Sequence, residues 1–414
     1  MYACSALVLG ACLAAEEIRQ QEVHRSKWVE DWLLERETRG SFALLHRELR
    51  LHSKLFKKYL NMSVPTFDFI LSKIKHRIAK EDTVMRQAIP PAERLQATLL
   101  FLICGIPYSR LQYDTRIHEN TLGLIIPEVC SAIYESLRDE FLKTPTTPDE
   151  WLKVAVEFER TWNFPNCIGA VDGKHVQIKP PPGSGSYYYN YKGFHSIVLL
   201  AIANANYEII YANIGSNGRV SDGGVWANCD LQQRLESGTA GVPGLKNLPG
   251  SSVKAPHVLV ADEAFPLKTY LMKPFPMRNQ NDDQRIFSYR LSRARRIIEN
   301  VFGIMSMRFR VLRTSINLEP SKVEKIILAI IALHNLLRRQ STEDYLPQGS
   351  VDQDNMTPGA LDRGSSRSET SLVGLPRQGG TSSSEDSKKV RENFTAYFMN
   401  EGAVSWQREM SGLF

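Results

Sequence analysis

The chain has 414 residues, 43% of them hydrophobic and 23% charged, enough apolar material for a large core and too much for a disordered or fibrous polypeptide. Its 51 Lys and Arg against 45 Asp and Glu leave a formal charge of +6, a mild excess that agrees with a nucleic-acid partner without requiring one. No apolar run reaches the roughly eighteen residues of a membrane span, and the scattered cysteines (Cys4, Cys12, Cys104, Cys130, Cys167, Cys229) form no Cys-x-x-Cys pair, so neither a zinc knuckle nor a disulfide framework is expected.

The opening stretch MYACSALVLGACLAA has the apolar length of a signal peptide but no basic start, which favours a helix running into Glu16 and Glu17. Residues 1–60 read as an N-terminal helical arm, rich in Arg, Lys, Glu and Leu. Trp28 and Trp32 share one helical face at the i, i+4 spacing. Beyond Asn61, apolar residues recur at helical spacing through Phe67, Ile70 and Ile74, and again from Pro91 to Ile103, with Gly105 and Pro107 as stop signals. A short helical piece over 108–113, a polar turn and a helix capped by Asn120 follow, so 61–150 is expected to be an all-helical domain. Helix, turn and helix in this order can place a recognition helix in a DNA groove, or form an ordinary bundle. The second helix has few basic residues and contains Pro127, and both readings stay open.

After Trp151 the texture changes. Segments 167–178, 196–204, 207–215 and 257–262 are short and rich in Val, Ile and Ala, and a two-residue Ala205-Asn206 link suggests a hairpin between the second and third. The first three should form an antiparallel meander. Helices are expected over 222–234, 289–309 and 321–339, which makes 151–340 an α/β domain, a mixed sheet flanked by helices. Residues 341–389 turn to Ser, Gly, Pro, Asp and Arg and read as a disordered linker. The stretch 390–414 regains Phe394, Tyr397, Phe398 and Trp406 and reads as a docking segment.

Three acids stand out. Asp172 lies inside an apolar strand before Gly173, where close backbone approach is allowed. Asp262 ends the apolar run VLVAD, at the strand edge where open α/β sheets place ligands. Glu299 sits among Ile297, Ile298, Val301 and Phe302. Carboxylates brought together from two strands and a helix suit Mg²⁺ or Mn²⁺, hard cations that bind phosphate oxygens. Each acid also has a plain alternative: a turn cap for Asp172, a loop pair of Asp262 with Glu263, and an ion pair of Glu299 with Arg295 or Arg296.

The segments CIGAVDGKHVQI, YNYKGFHSIVLLAIAN, RVSDGGVW, VLVADEAFPL and RRIIENVFGIMSMRFRVL, in that order, resemble the PIF/Harbinger transposases and the Harbinger transposase-derived nucleases. The resemblance spans roughly 61–339 and is strongest from Cys167 onward. It implies a ribonuclease H-like fold after the all-helical N-terminal domain, with a metal-binding DDE triad falling on Asp172, Asp262 and Glu299. The implied activity is a metal-dependent DNA endonuclease that hydrolyses phosphodiester bonds with two divalent ions, Mg²⁺ or Mn²⁺. The rival reading is a catalytically silent nuclear DNA-binding or chromatin-associated protein on the same fold. The resemblance also implies a Myb-like partner protein and a nuclear location, with the cytoplasm left open. Lys192, Arg293, Arg295, Arg296 and Arg308 are expected to contact DNA phosphates, and the tyrosines of 187–191 either stack on bases or pack. Ser221 and Asp222 read as helix caps, and His175 and His334 as packed side chains. A glycosidase is disfavoured by the basic helix around Glu299.

Overall fold

The computed structural model describes residues 29–84, 87–354, 361–368, 372–375 and 383–413. Trp28 and the apolar opening lie outside them. The described part of the arm is a chain of short helical segments between Asp31 and Leu60, held down by Trp32 stacking on Tyr113 with ring centroids 5.4 Å apart.

Five longer helices follow: α1 Val64–Ile78, α2 Pro91–Cys104, α3 Tyr108–Thr115, α4 Glu119–Phe141 and α5 Pro148–Trp162. Ser63 caps α1 by accepting from the Thr66 amide, and Thr147 with Glu150 forms a capping box on α5. Gly105 ends α2 at φ +67°, and a Cβ there would lie 2.8 Å from the Arg310 carbonyl, so only glycine fits. The cap of α4 is His118, not Asn120: the imidazole Nδ1 accepts from the Asn120 backbone amide, and Asn120 is already helical.

The sheet runs β3-β2-β1-β4-β5, with β1 Cys167–Gln177, β2 Ser196–Ala203, β3 Ile209–Asn217, β4 Val258–Val260 and β5 Leu271–Met272. The β1–β2–β3 meander is antiparallel as expected, whereas β4 and β5 join in parallel. The β2–β3 link is longer than the two residues expected. Asn204 Oδ1 accepts from the amides of Asn206 and Glu208, and Tyr207 takes φ +63°, so side-chain chemistry closes a wider turn.

The helix expected over 222–234 is two, α6 Asp222–Ala227 and α7 Asp230–Glu236, while 289–309 starts earlier as α8 Asp282–Arg308. Its capping box, Asn281 with Gln284, lies in a polar stretch that apolar periodicity does not register. Helix α9 is Pro320–Gln340 and α10 is Glu385–Met399. Helix α8 packs across β1, β2 and β4, and α9 lies between α4 and β3.

Buried residues of α1 to α4, such as Phe67, Leu99 and Ile133, therefore share one core with α9 and one sheet face. The region 61–150 is fused to the sheet body. Helix α4 buries Leu122, Ile126, Val129 and Ile133, and its polar residues Glu128, Glu135 and Glu140 pair with Lys80, Arg77 and Lys73. Those ion pairs leave the outer face of α4 without a basic excess for a phosphate backbone.

The described parts of 341–389 are packed rather than loose. Tyr345, Leu372 and Leu375 are buried, and β6, Val373–Gly374, pairs with Lys174 and His175 of β1. A few apolar side chains suffice to dock a Ser/Gly-rich tract when an open strand edge awaits them. Helix α10 packs on α8, with Phe394 and Phe398 against Phe164.

Candidate active site

One edge of β1 is shared. The β4 strand covers Cys167–Ala170, and β6 covers Lys174 and His175. Asp172 falls between the two partners, and its side chain points to the face that packs on α8, since residues two apart on a strand share a face. Lys174 shares that face and lies 5.5 Å above the Phe302 ring of α8.

The Asp172 side chain is 4% exposed and forms an ion pair with Lys174, Oδ2 to Nζ, at 2.8 Å. Its Oδ1 accepts from the Gly173 amide at 2.9 Å. Asp262 follows the neighbouring parallel strand β4 and is fixed in an Asx turn, Oδ1 accepting from the Ala264 amide at 2.9 Å. Burial, then the nearby charge of Asp172, raises the Asp262 pKa above the ordinary carboxylate range, against the pull of Arg295 and Lys174. Glu299, on α8, pairs with Arg295 one turn earlier. Burial disfavours the Lys174 ammonium, yet its pKa is raised because Asp172 and Glu299 outweigh that cost. Three acids and two cations thus form one interacting cluster.

The donor chemistry fits a hard divalent cation, because Asp172 and Asp262 bring carboxylate oxygens from adjacent strands to one place and feel each other's charge. Glu299 is turned to Arg295, and among the described residues no three His, Cys, Asp or Glu side chains gather closely enough to hold an ion together. An open cleft of about 640 Å³ begins beside the acids, lined by Asp262, Arg295, Phe275, Gln280, Arg285 and Tyr289.

The five basic residues expected to touch DNA divide. Arg295 is in the cluster, and Lys192 is exposed above the Tyr191 ring. The other three serve the fold. Arg296 is 8% exposed. Arg293 donates to the Trp162 carbonyl and lies over the Trp406 ring, and Arg308 donates to the carbonyls of Asp344 and Tyr345. Periodicity assigns such residues to a helix face but cannot say that another segment's carbonyls cover that face.

Tyr187, Tyr189 and Tyr191 are exposed on the β1–β2 loop, and the Tyr191 hydroxyl donates to the Gly374 carbonyl at 3.0 Å, which ties the loop to the strand beside Lys174. His175 faces away from Asp172 and contacts Ser196 Oγ, with its pKa lowered to about 4 by burial and then by Lys174. His334 is buried against the Tyr345 hydroxyl and the Tyr207 carbonyl. Ser221 caps α6, and Asp222 is its first residue. Sequence reasoning passed over Lys174, although its i, i+2 spacing from Asp172 on one strand already placed the two on one face.

Residues 171–335 match the family model described as DDE superfamily endonuclease. HARBI1 of Xenopus laevis, named for a nuclease, is 24% identical over 290 residues, 69% of this chain and 79% of its own. HARBI1 of Rattus norvegicus is 25% identical over 273 residues, 65% of this chain and 74% of its own. A protein of Arabidopsis thaliana named ALP1-like is 21% identical over 292 residues, 69% of this chain and 70% of its own. No solved structure matches.

Proposed function

Residues 171–335 are a DDE superfamily endonuclease domain related to that of Harbinger transposase-derived nucleases, and on that premise we propose that this chain is a metal-dependent DNA endonuclease. The observation that carries the reading is the meeting of Asp172 and Asp262, ninety residues apart, in one cluster with Glu299, Lys174 and Arg295. The order β3-β2-β1-β4-β5, with three antiparallel strands and two parallel ones, supports the ribonuclease H-like reading of the sheet.

When bound, Mg²⁺ or Mn²⁺ ions supply activation of water and stabilisation of the leaving oxygen of a phosphodiester. Asp172 and Asp262 would hold them, with Glu299 completing the set from α8. The chain's own part is positional. The two strands fix the aspartates through backbone amides, and Gly173 leaves the backbone open to a close neighbour. Lys174 and Arg295 supply positive charge for the scissile phosphate, and exposed Lys192 with Tyr187 and Tyr189 offers contacts to the strand beyond it. Nuclear residence belongs to the same proposal, tested by imaging the tagged chain in cells.

The test is nicking of supercoiled plasmid with Mg²⁺, Mn²⁺ or EDTA by wild type, Asp262→Asn and Glu299→Gln. Wild type should nick only with metal, and each variant should lose about 100-fold or more. Equal nicking by all three proteins removes the reading. A wild type that shifts DNA in a gel yet never nicks it replaces it with the silent DNA-binding one.

A further inference from the structure

In this fold two of the three acids are already paired with cations. Asp172 Oδ1 accepts from the Gly173 amide at 2.9 Å, and Oδ2, buried without a directed hydrogen bond, is held by charge alone to the Lys174 ammonium 2.8 Å away. Glu299 is bound to Arg295. Both cations come from the same elements as the acids they neutralise, two residues away on β1 and four residues away on α8.

A divalent ion on Asp172 Oδ2 would sit about 2.1 Å from it. With Lys174 Nζ at 2.8 Å from the same oxygen, the two cations would stand no more than about 5 Å apart in a site whose aspartate is 4% exposed. The ion and the ammonium therefore oppose each other at that oxygen. The Arg295 guanidinium stands in the same relation to Glu299. Each displaced cation keeps its tether: Lys174 rides on a stem over Phe302, and Arg295 lines the cleft that opens beside Asp262, where a phosphate would lie.

We propose that Lys174 and Arg295 are built-in counter-cations that close Asp172 and Glu299 to divalent ions in the free protein and yield when a backbone phosphate offers them an alternative partner. Metal and DNA then bind with positive coupling, because each removes a cation that opposes the other, and the coupling is reciprocal. The proposal rests on the nuclease reading, deepens it, and can fail separately from it.

The experiment is isothermal titration of the full-length chain with Mn²⁺ alone, in wild type, Lys174→Met, Lys174→Arg and Arg295→Gln. Lys174→Met should bind Mn²⁺ at least about tenfold more tightly than wild type, a gain of about 1.4 kcal/mol, and Lys174→Arg, which keeps the charge, should stay near wild type. Arg295→Gln, on a side chain 21% exposed and so free of a core cavity, should gain in the same direction. Equal affinities in all four proteins overturn the inference and leave the nuclease reading standing. No Mn²⁺ binding by any of them overturns both.

Discussion

Replacing Asp172 by Asn strands a buried ammonium. The pair it breaks is 2.8 Å long, between side chains 4% and 16% exposed. At an effective dielectric of about 20 its attraction is on the order of 332/(20 × 2.8), or about 6 kcal/mol, against which the desolvation of Lys174 must be set. Breaking one partner of such a pair costs about 3–5 kcal/mol, most of it the uncompensated charge left behind. Glu299 also draws Lys174 and holds the loss toward the lower figure. An unfolding entropy of about 2.1 cal/mol/K per residue gives about 0.9 kcal/mol/K for 414 residues, so Tm should fall by about 3–6 °C. Lys174→Met added to Asp172→Asn removes the stranded ammonium, and the double variant should melt above Asp172→Asn alone. Calorimetry in EDTA on wild type, both single variants and the double closes the cycle. A coupling energy below about 0.5 kcal/mol, the scatter of independent sites, refutes the ion pair as described. The cycle also separates loss of nicking through lost charge from loss through unfolding.

Glu93 is 4% exposed, and its pKa is pushed up to about 7 by burial, with Arg36 at 3.5 Å pulling the other way. The folded chain holds that proton until about pH 7 while the unfolded chain releases it near 4.5, so stability should fall as pH rises between those values, by at most about 3 kcal/mol at 1.36 kcal/mol per unit. Glu93→Gln should abolish this slope, and urea melts from pH 4 to 8 that show the same slope in both proteins rule the assignment out. Tyr187→Ala with Tyr189→Ala, at side chains 56% and 47% exposed, should leave Tm unchanged and weaken single-stranded DNA binding at least fivefold, given about 1–3 kcal/mol per stacked base. Unchanged anisotropy titrations would return these tyrosines to a role in the loop alone.

The parts of the fold that were legible in the sequence are those set by local periodicity. Strand β2 is apolar from Ile197 to Ala203 and buried at every position, and β1 and β4 show a similar apolar texture, with Asp172 inside the first and Asp262 just past the end of the second. What local pattern could not reveal was which surfaces meet. From Ala329 to Leu337 helix α9 is buried at every position and so all round its circumference, and a helix segment buried on every side must be covered on every side. That pattern marks it as the shared core of 61–150 and the sheet, a reading that takes the helix as a bridge rather than as the last element of one domain. Likewise, averaging composition over 341–389 conceals Leu372 and Leu375, whose burial docks β6 on β1. The arginines of α8 were legible as charges but not as partners, since Trp162 and Trp406, which Arg293 covers, lie far away in sequence on either side.

The candidate site combines two kinds of proximity, and they differ in what creates them. Lys174 with Asp172 and Arg295 with Glu299 are neighbours by period, two along a strand and four along a helix, so each pair forms whenever its element forms. Asp172 with Asp262 are neighbours by topology alone, because β4 must add in parallel beside β1 before the two carboxylates meet. That step buries Asp262 and brings it beside the Asp172 charge, and the two together, burial first, raise its pKa; the like charges oppose the step unless positive charge is already in place. The local cations supply it. If Asp172, Asp262 and Glu299 are the metal-holding acids proposed above, the counter-charge that lets β4 close beside β1 comes from Lys174 and Arg295, the same cations that the proposal has an incoming ion displace.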